Sequence, residues 1–269
     1  MSSPFDHCCL SIAGSDSGGG AGIQADLKTF AALHCHGTSA ITAVTAQNTL
    51  TVSHVSVLAP QSIRLQIQAV LKDFEVGAIK LGMLADTDTI NTVADALTGV
   101  HCPVVLDPVM VASTGARLLD PRAIDCLRQR LLPMATVLTP NIDEASLLLD
   151  QRSIGNEQQA AEAGRELLAM GPQAVLIKGG HLDGPLVVDQ LIEPGLTRRF
   201  EHPRLALEGH GTGCTLASAI AAGLAHGLDL HGACEQAGDY VAGALANGRR
   251  AGKGSPTVLD HFWQRPRDR

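Results

Sequence analysis

A glycine-rich turn that leads into a helix of small residues carries the clearest chemical signal in the sequence. Residues 210–223 read HGTGCTLASAIAAG, with Cys214 at the junction of turn and helix. The first N–H groups of a helix have no partner within the helix, so they attract anions such as phosphate. The same field favours the thiolate of Cys214 and brings its pKa toward neutrality. The segment predicts an anion site beside a reactive cysteine; a tight turn with a buried structural cysteine is the alternative.

Two acidic residues follow short apolar segments that have the composition of buried strands. Asp107 comes after VVL, and Glu144 closes the segment TPNIDE at 139–144. Two carboxylates at neighbouring strand ends suit Mg²⁺, which commonly takes one or two carboxylates together with water and substrate phosphates. Taken singly, Asp107 is also typical of a turn before proline, and Glu144 of a first helical turn. Together they favour a metal site.

A lysine ends another apolar segment. Lys178 follows VLI and precedes Gly179 and Gly180. A cation at the end of a buried strand, followed by residues without side chains, is well placed to meet a phosphate of a bound ligand. A solvated lysine at a strand end is the alternative interpretation.

The longest glycine-rich segment lies near the N-terminus, where residues 13–26 read AGSDSGGGAGIQAD. No Gly-Lys-Ser/Thr follows the glycines, so the segment is not a P-loop. The spacing of Gly20, Gly22 and Ala25 loosely fits a dinucleotide fingerprint. That fingerprint needs an acidic residue about 20 positions later, and none occurs between Asp26 and Asp73. A loop over a small ligand, with Asp26 facing it, is favoured over a plain turn that needs positive φ.

Short apolar segments alternate with amphipathic ones, and this alternation predicts the elements that must position these residues. The predicted strands are Cys9–Ala13, Ser39–Ala46, His54–Val57, Val76–Leu81, Val104–Asp107, Thr136–Thr139 and Ala174–Lys178. One predicted helix contains Ile23, Leu27, Phe30 and Ala31, and another opens at Pro60; the others are Thr87–Leu97, Pro121–Leu131, Asp143–Leu149, Glu157–Met170, Thr215–His226 and Leu230–Ala246.

This order predicts an α/β fold with a mostly parallel central sheet and helices on both faces, a three-layer sandwich. Leu186–Glu193 and Thr197–Pro203 predict a small antiparallel hairpin that turns at Pro194-Gly195. No linker or repeat interrupts the pattern, so we expect residues 1–269 to form one domain. Ligands of such sheets bind beyond the carboxyl ends of the strands. All the candidate segments would therefore meet at one edge.

Composition excludes several classes of partner. The chain has 269 residues, of which 45% are hydrophobic, and a net charge of −7 with no run of Lys or Arg. We therefore expect no nucleic-acid or membrane surface. The N-terminus lacks the pattern of a signal peptide, which predicts a cytoplasmic protein. The cysteines form no C-x-x-C pair, and most are expected to be reduced and buried; they are residues 8, 9, 35, 102, 126, 214 and 234.

Taken in order, these segments resemble the ribokinase-like small-molecule kinases. Among them they are most similar to the hydroxymethylpyrimidine/phosphomethylpyrimidine kinases of thiamine biosynthesis. The resemblance extends from Leu10 to about Phe262. Ser17-Gly18 stands where Pro-Ser is usual, and Thr45 where valine is frequent. The matching segments are GGAGIQADLKTF at 19–30, AQNT at 46–49, KLGML at 80–84, DPVM at 107–110, TPN at 139–141, KGGH at 178–181 and HGTGCTL at 210–216.

The resemblance implies transfer of the γ-phosphoryl group of ATP to the hydroxymethyl oxygen of the aminopyrimidine, and then to the monophosphate. It implies that Cys214 is the general base, and that the N–H groups of Gly211, Thr212 and Gly213 hold the migrating charge. It places Asn141, Lys178 and Thr212 beside ATP, and Asp107 and Glu144 at Mg²⁺. The substrate pocket it implies consists of Gly14, Asp26, Gln47, Met83 and Val109.

Two other functions stay open at this stage. A pyridoxal/pyridoxine kinase on the same scaffold would also phosphorylate a hydroxymethyl group on a nitrogen aromatic ring. A non-catalytic regulator that binds the vitamer is the alternative from another class. Retention of Asp107, Glu144, Lys178 and Cys214 argues against the regulator. Relatives of this type are usually homodimers, so a homodimer is expected.

Overall fold

A nine-stranded sheet forms the centre of the protein. The computed structural model describes residues 7–112, 114–150 and 153–265. Its strands follow the order β3-β2-β1-β4-β5-β6-β7-β8-β9 across the sheet. They are β1 (His7–Asp16), β2 (Cys35–Gln47), β3 (Val52–Val57), β4 (Val76–Leu81), β5 (Val104–Leu106), β6 (Val137–Leu138), β7 (Val175–Ile177), β8 (Leu186–Glu193) and β9 (Leu196–Pro203).

The sheet is mostly parallel, as the sequence predicts. The six strands β2, β1, β4, β5, β6 and β7 run parallel to one another, while β3 pairs antiparallel with β2, β8 with β7, and β9 with β8. The hairpin of β8 and β9 turns at Pro194-Gly195, where Gly195 has a φ of +75°. A connection of this kind needs a residue that adopts positive φ without strain, which glycine supplies.

Helices cover both faces of the sheet. They are α1 (Gly22–Ala32), α2 (Pro60–Asp73), α3 (Thr87–Ala96), α4 (Ile124–Arg130), α5 (Ile142–Leu148), α6 (Glu157–Leu168), α7 (Thr212–Ala225) and α8 (Leu230–Ala246). Helices α1, α7 and α8 pack with Cys9 and Ala78 on one face, and α2–α6 pack with Leu10 and Ile79 on the other. Successive residues of a strand point to opposite faces of the sheet, and helices cover each face. Both faces of the sheet are therefore apolar. The three-layer sandwich is confirmed.

The structure differs from the predictions at short and glycine-rich segments. The predicted helix Pro121–Leu131 is a 3₁₀ turn, Pro121–Ala123, followed by α4. Helix α7 begins at Thr212 rather than Thr215. Two short strands, β10 (Gly209–His210) and β11 (Thr257–Val258), form a separate parallel pair.

Two further expectations concern the cysteines and membranes. All seven cysteines are free, with four buried and Cys102, Cys126 and Cys214 partly buried. Among the described residues, none of the helices has the length and apolar character that crossing a membrane requires.

Candidate active site

The start of helix α7 is shaped to receive an anion. Gly211 precedes the helix with φ +83°, and no side chain caps the first turn. A methyl group on Gly211 would overlap the carbonyl oxygen of Gly20. Glycine is therefore required here both for its backbone conformation and for the close packing of two loops. The uncapped N–H groups leave room for a phosphate.

Cys214 lies in the first turn of α7, where two helix starts converge. The N–H of Gly22, the first residue of α1, acts on its sulfur and favours the thiolate. Burial raises the pKa of the Cys214 thiol to about 11; Lys80 and the Gly22 N–H lower it, while Asp107 and Asp26 raise it further. The predicted shift toward neutrality is therefore wrong for the ligand-free protein, because desolvation outweighs the helix start.

Asp16 organises the glycine loop. Its carboxylate accepts from the N–H groups of Gly18 (2.7 Å), Gly20 (3.0 Å) and Ala21 (2.9 Å). The Nε2 atom of His210 lies 3.1 Å from the same carboxylate. Burial raises the pKa of Asp16, but the hydrogen bonds outweigh burial and hold the pKa below its ordinary value. Because His210 precedes Gly211, this carboxylate joins the glycine loop to the anion site.

Gln47 ends β2 and is held from several sides. Ser17 Oγ donates to the Gln47 carbonyl (2.7 Å) and accepts from its N–H (2.8 Å). Thr45 Oγ1 donates to Gln47 Oε1 (3.2 Å), and Gln47 Nε2 lies 3.4 Å from His210 Nε2. Ser17 and Thr45 are two positions at which the sequence departs from the usual pattern. Both contact Gln47 directly.

Gly14, Met83 and Val109 lie close together, as the pocket prediction requires. A methyl group on Gly14 would lie 2.8 Å from Met83 Sδ, so glycine leaves that surface open. Met83 packs with Val109 in a small cluster with Ala43. These residues lie near the end of β1, before α3 and after β5, and they form an apolar surface.

Asp26 lies deeper than the pocket prediction implies. Its side chain is 0% exposed, and its carboxylate faces Lys80 Nζ at 3.0 Å from each oxygen. Ser11 and Ser218 donate to the same carboxylate at 2.6 and 2.7 Å. Burial lowers the pKa of Lys80, but the charge of Asp26 outweighs burial and the pKa rises above its ordinary value. Burial raises the pKa of Asp26, and Lys80, Ser11 and Ser218 oppose this effect.

Lys80 is a functional candidate that the sequence reasoning missed. In the sequence it lies within the matching segment KLGML. The available signal was a lysine inside the otherwise apolar strand VGAIKL. A lysine in a strand buried on both faces requires a buried partner.

A second group of site residues lies at the ends of neighbouring strands and consists of Lys178, Asp107 and Glu144. Lys178 Nζ lies 2.9 Å from Asp107 Oδ1 and 3.7 Å from Glu144 Oε2. Burial raises the pKa of Glu144 to about 7; Lys178 opposes this effect and Asp107 adds to it. Burial lowers the pKa of Lys178, but the two carboxylates outweigh burial and raise it above its ordinary value. Two acids and one cation thus meet at adjacent strand ends.

Asn141 links this second group of site residues to the backbone. Its side chain accepts from the Glu144 N–H, and its own N–H donates to Glu144 Oε2, both at 2.8 Å. This capping box starts α5. The N–H of Lys178 donates to the carbonyl of Pro140 at 2.9 Å. Glu144 is therefore oriented before any ligand binds.

The donor set fits a magnesium ion shared with a phosphate ligand. Asp107 and Glu144 supply hard oxygen donors and converge on Lys178, a cation. Across residues 7–112, 114–150 and 153–265, no three His, Cys, Asp or Glu side chains cluster so as to hold a metal by themselves. Mg²⁺ usually keeps waters and takes phosphate oxygens, so two carboxylates are sufficient.

The start of α7 lies between two groups of site residues. One is the glycine loop, and the other consists of Asp107, Glu144 and Lys178. A methyl group on Gly213 would lie 3.1 Å from Lys178 Nζ and 3.9 Å from both carboxylate oxygens of Asp107. The partly exposed Thr212 begins the helix on the same side. A partly buried thiol, uncapped N–H groups, a lysine and two carboxylates therefore surround one small volume. Such a site suits the transfer of a phosphoryl group.

Comparisons with known proteins identify the relatives of this chain. A model of the phosphomethylpyrimidine kinase family matches residues 16–258. A hydroxymethylpyrimidine/phosphomethylpyrimidine kinase of Streptomyces coelicolor is 47% identical over 255 residues, which are 94% of each chain. The crystal structure of phosphomethylpyrimidine kinase from Clostridium difficile superposes with a TM-score of 0.78 at 40% identity, and covers 88% of this chain and 98% of that one.

A related enzyme class shares the shape. The ADP complex of Bacillus subtilis pyridoxal kinase superposes with a TM-score of 0.88 at 34% identity, over 95% of this chain and 98% of that one. The family model and the sequence relative nevertheless cover most of the chain under the pyrimidine kinase name. The chain belongs to the phosphomethylpyrimidine kinase family.

Proposed function

We propose that the protein transfers the γ-phosphoryl group of ATP to 4-amino-5-hydroxymethyl-2-methylpyrimidine, and then to its monophosphate, for thiamine biosynthesis. One observation carries the proposal: the uncapped start of α7, which contains Cys214, lies against the glycine loop at Gly211 and against Lys178 and Asp107 at Gly213. Phosphoryl transfer needs little covalent chemistry from the protein. Positioning and charge stabilisation dominate, and this arrangement supplies both.

Each side chain has a role that follows from its place. Cys214 accepts the proton of the attacking hydroxyl group, and the N–H groups from Gly211 to Cys214 stabilise the migrating charge. Lys178 neutralises phosphate oxygens. Asn141 and Thr212 lie on the nucleotide side of the site.

Asp107 and Glu144 are the residues that would hold Mg²⁺. The bound ion supplies further neutralisation of phosphate charge. Before it binds, Lys178 balances the two carboxylates, which keeps both oriented toward one point. The backbone hydrogen bond from Asn141 fixes Glu144 Oε2 in addition.

The pocket suits a flat, nitrogen-containing ring. Met83 and Val109 provide an apolar surface, and Gly14 leaves it uncovered. The amide of Gln47 offers one donor and one acceptor side by side, which complements an amino group next to a ring nitrogen. Asp26 supports this pocket from beneath rather than lining it, because Lys80 and two serines occupy its oxygens.

A coupled assay of ADP release tests the function. Purified protein is incubated with ATP, with the pyrimidine alcohol or its monophosphate, and with or without Mg²⁺. We expect turnover of both pyrimidines in the presence of Mg²⁺ and its loss on chelation. Absence of turnover with either pyrimidine contradicts the proposal.

Pyridoxal is the second candidate substrate. The observation that favours it is the higher TM-score to the Bacillus subtilis pyridoxal kinase, 0.88 against 0.78. The same assay with pyridoxal measures the ratio of the two kcat/KM values. We expect the ratio to favour the pyrimidine, because Gln47 matches an amino group beside a ring nitrogen better than an aldehyde beside a phenol.

The proposal also covers the oligomeric state of the protein and its cellular compartment. We propose that residues 1–269 form one domain and that the protein is a homodimer in the cytoplasm. Exposed apolar residues at the β2–β3 edge, Val44, Leu50 and Val57, support a covered surface there. The free cysteines support a reducing compartment. Light scattering coupled to gel filtration measures the oligomeric state.

A further inference from the structure

A buried ion pair lies directly behind the catalytic turn. Lys80 and Asp26 are both 0% exposed, and Lys80 Nζ is 3.0 Å from each carboxylate oxygen. With Ser11 and Ser218 also donating, each oxygen of Asp26 accepts twice. Removing two charges from water is costly, and a buried pair often stabilises a fold no more than apolar residues would. Stability alone therefore does not account for the Lys80–Asp26 pair.

The pair joins four elements at one point. Asp26 belongs to α1, Lys80 to β4, Ser11 to β1 and Ser218 to α7. Ser11 and Lys80 are direct partners in the parallel register of β1 and β4, so both side chains leave the same face of the sheet. The carboxylate of Asp26 thus ties both helices to the centre of the sheet.

Ser218 connects this point to the reacting end of α7. It lies four residues after Cys214, so the two side chains occupy the same side of the helix one turn apart. The other buried residues of α7 are five alanines, Thr215, Leu216, Ile220 and Gly223, and Thr215 contacts His261 on the C-terminal segment rather than the sheet. Small side chains specify the rotation of a helix about its axis weakly. The hydrogen bond from Ser218 to Asp26 supplies a directional contact.

The thiol also lies within the electrostatic reach of the pair. The charged groups that act on Cys214 are Lys80 on the positive side, and Asp26 and Asp107 on the negative side, while Cys214 in turn acts on Lys178. Lys80 favours the thiolate, and Asp26 opposes it. Lys80 and Asp26 have no access to solvent or to a substrate. Their effect on the reaction is therefore exerted through Cys214.

We infer that Lys80 and Asp26 are positioning residues of the catalytic turn. Through Ser218 they hold Cys214 and the start of α7 in place against the glycine loop, and they control the charge around the thiol from the interior. The inference rests on the proposed function for its catalytic consequence. Its structural and chemical consequences are measurable without any substrate.

Two matched serine variants test the positioning. Ser218→Ala and Ser11→Ala each remove one hydrogen bond to the same buried carboxylate, one from α7 and one from β1. We expect Ser218→Ala to lower kcat about tenfold with KM nearly unchanged, and Ser11→Ala to lower kcat less than about twofold at a similar loss of Tm. Equal kcat values in the two variants would overturn the inference.

Two charge variants test the effect on the thiol. The rate of Cys214 alkylation by iodoacetamide is followed by mass spectrometry as a function of pH. We expect the midpoint to move up by about one pH unit in Lys80→Met and down in Asp26→Asn. Shifts of opposite sign cannot arise from loosened packing. Unmoved midpoints, or shifts of the same sign, would refute the role.

A double variant covers the case in which a single charge prevents folding. Lys80→Met/Asp26→Asn is neutral and keeps similar side-chain volumes. We expect a folded protein by circular dichroism, with a midpoint above the native one, because the charge of Lys80 acts on the thiol more strongly than that of Asp26. A native midpoint in this folded double variant would also refute the role. Alkylation needs no substrate, so this outcome is distinguishable from failure of the kinase assay.

Discussion

Cys214 combines an anion-binding position with a raised pKa. At pH 7, a thiol with a pKa of about 11 is a thiolate in only about one molecule in ten thousand. Proton transfer to Cys214 therefore becomes favourable only as the site supplies compensating positive charge. Lys80 and the N–H of Gly22 already lower the pKa of the thiol and burial outweighs them, so the further charge has to arrive with the bound ligands.

Replacing Cys214 tests its role as base. We expect Cys214→Ala and Cys214→Ser to keep the fold and to lower turnover at least about tenfold, since general base catalysis commonly contributes more than that. Circular dichroism checks the fold, and ADP release measures kcat. Near-normal kcat in purified Cys214→Ala would remove the role of Cys214 as base.

The raised pKa also predicts the pH profile. Below about pH 11 the thiol is mostly protonated, so the thiolate fraction rises about tenfold for each unit of pH. We expect kcat to increase from pH 7 to pH 10 in the native protein. In Cys214→Ser the increase should be absent, because serine does not titrate in this range. A flat native profile would contradict the assignment.

Individual site residues were predictable to different degrees. Gln47, Asp107 and Lys178 follow apolar strands, and the carboxyl ends of parallel strands meet at one edge. Lys80 and Ser218 were not assigned a role, because their function depends on which helix packs over which strand. The pKa of Cys214 was mispredicted for the same reason, since desolvation depends on tertiary packing.

At the scale of elements, two glycine-rich loops share one narrow space. Gly211 packs on Gly20, and a methyl group on Gly20 would in turn overlap the ring of His210. Asp16 bridges the same loops through His210. We therefore expect that displacing one loop also displaces the other.

Substitution of Gly211 tests this dependence. Gly211→Ala places a side chain at φ +83° and against the Gly20 carbonyl. We expect a loss of about 1–2 kcal/mol from the backbone conformation alone, together with a large loss of kcat from displacement of α7. Urea unfolding and ADP release measure the two effects.

Gly227 provides a matched control. It has the same φ of +83°, and nothing lies within 4 Å of the position of an added methyl group. We expect Gly227→Ala to show the conformational loss of stability with kcat nearly unchanged. If Gly211→Ala retains kcat to the same degree, the loops are not mutually dependent.

Regular elements were more predictable than their boundaries. Strand β4 and helix α8 begin and end where the apolar periodicity predicts. The start of α7 was placed three residues late, because Gly213 reads as a turn residue although it lies in the helix. Strands β10 and β11 have two residues each, too few for a periodic signal.

At the scale of the whole molecule, ligand binding should increase stability. Lys178, Asp107 and Glu144 are in place before a ligand arrives, so MgATP binds the native protein and not the unfolded chain. At one hundred times its Kd, we expect MgATP to add about 2.7 kcal/mol and to raise Tm by several degrees. Differential scanning fluorimetry measures the shift.

Chelation and Asp107→Asn are the controls for this experiment. We expect ATP with EDTA to raise Tm less than MgATP does. In Asp107→Asn the difference between the two conditions should shrink, because one carboxylate for the ion is lost. An identical rise with and without Mg²⁺ in the native protein would contradict the metal assignment.

The contacts that complete the site span most of the chain. Asp16 and His210 are 194 residues apart, Asp26 and Ser218 are 192 apart, and Gly254 donates to Thr49 across 205. During synthesis, the N-terminal loop leaves the ribosome long before the residues that order it. Until the last third of the chain has been made, the nascent chain therefore carries an incomplete site, in which Asp26 lacks the hydrogen bond from Ser218. Contacts between residues so far apart in sequence form slowly. The complete enzyme therefore appears only at the end of translation.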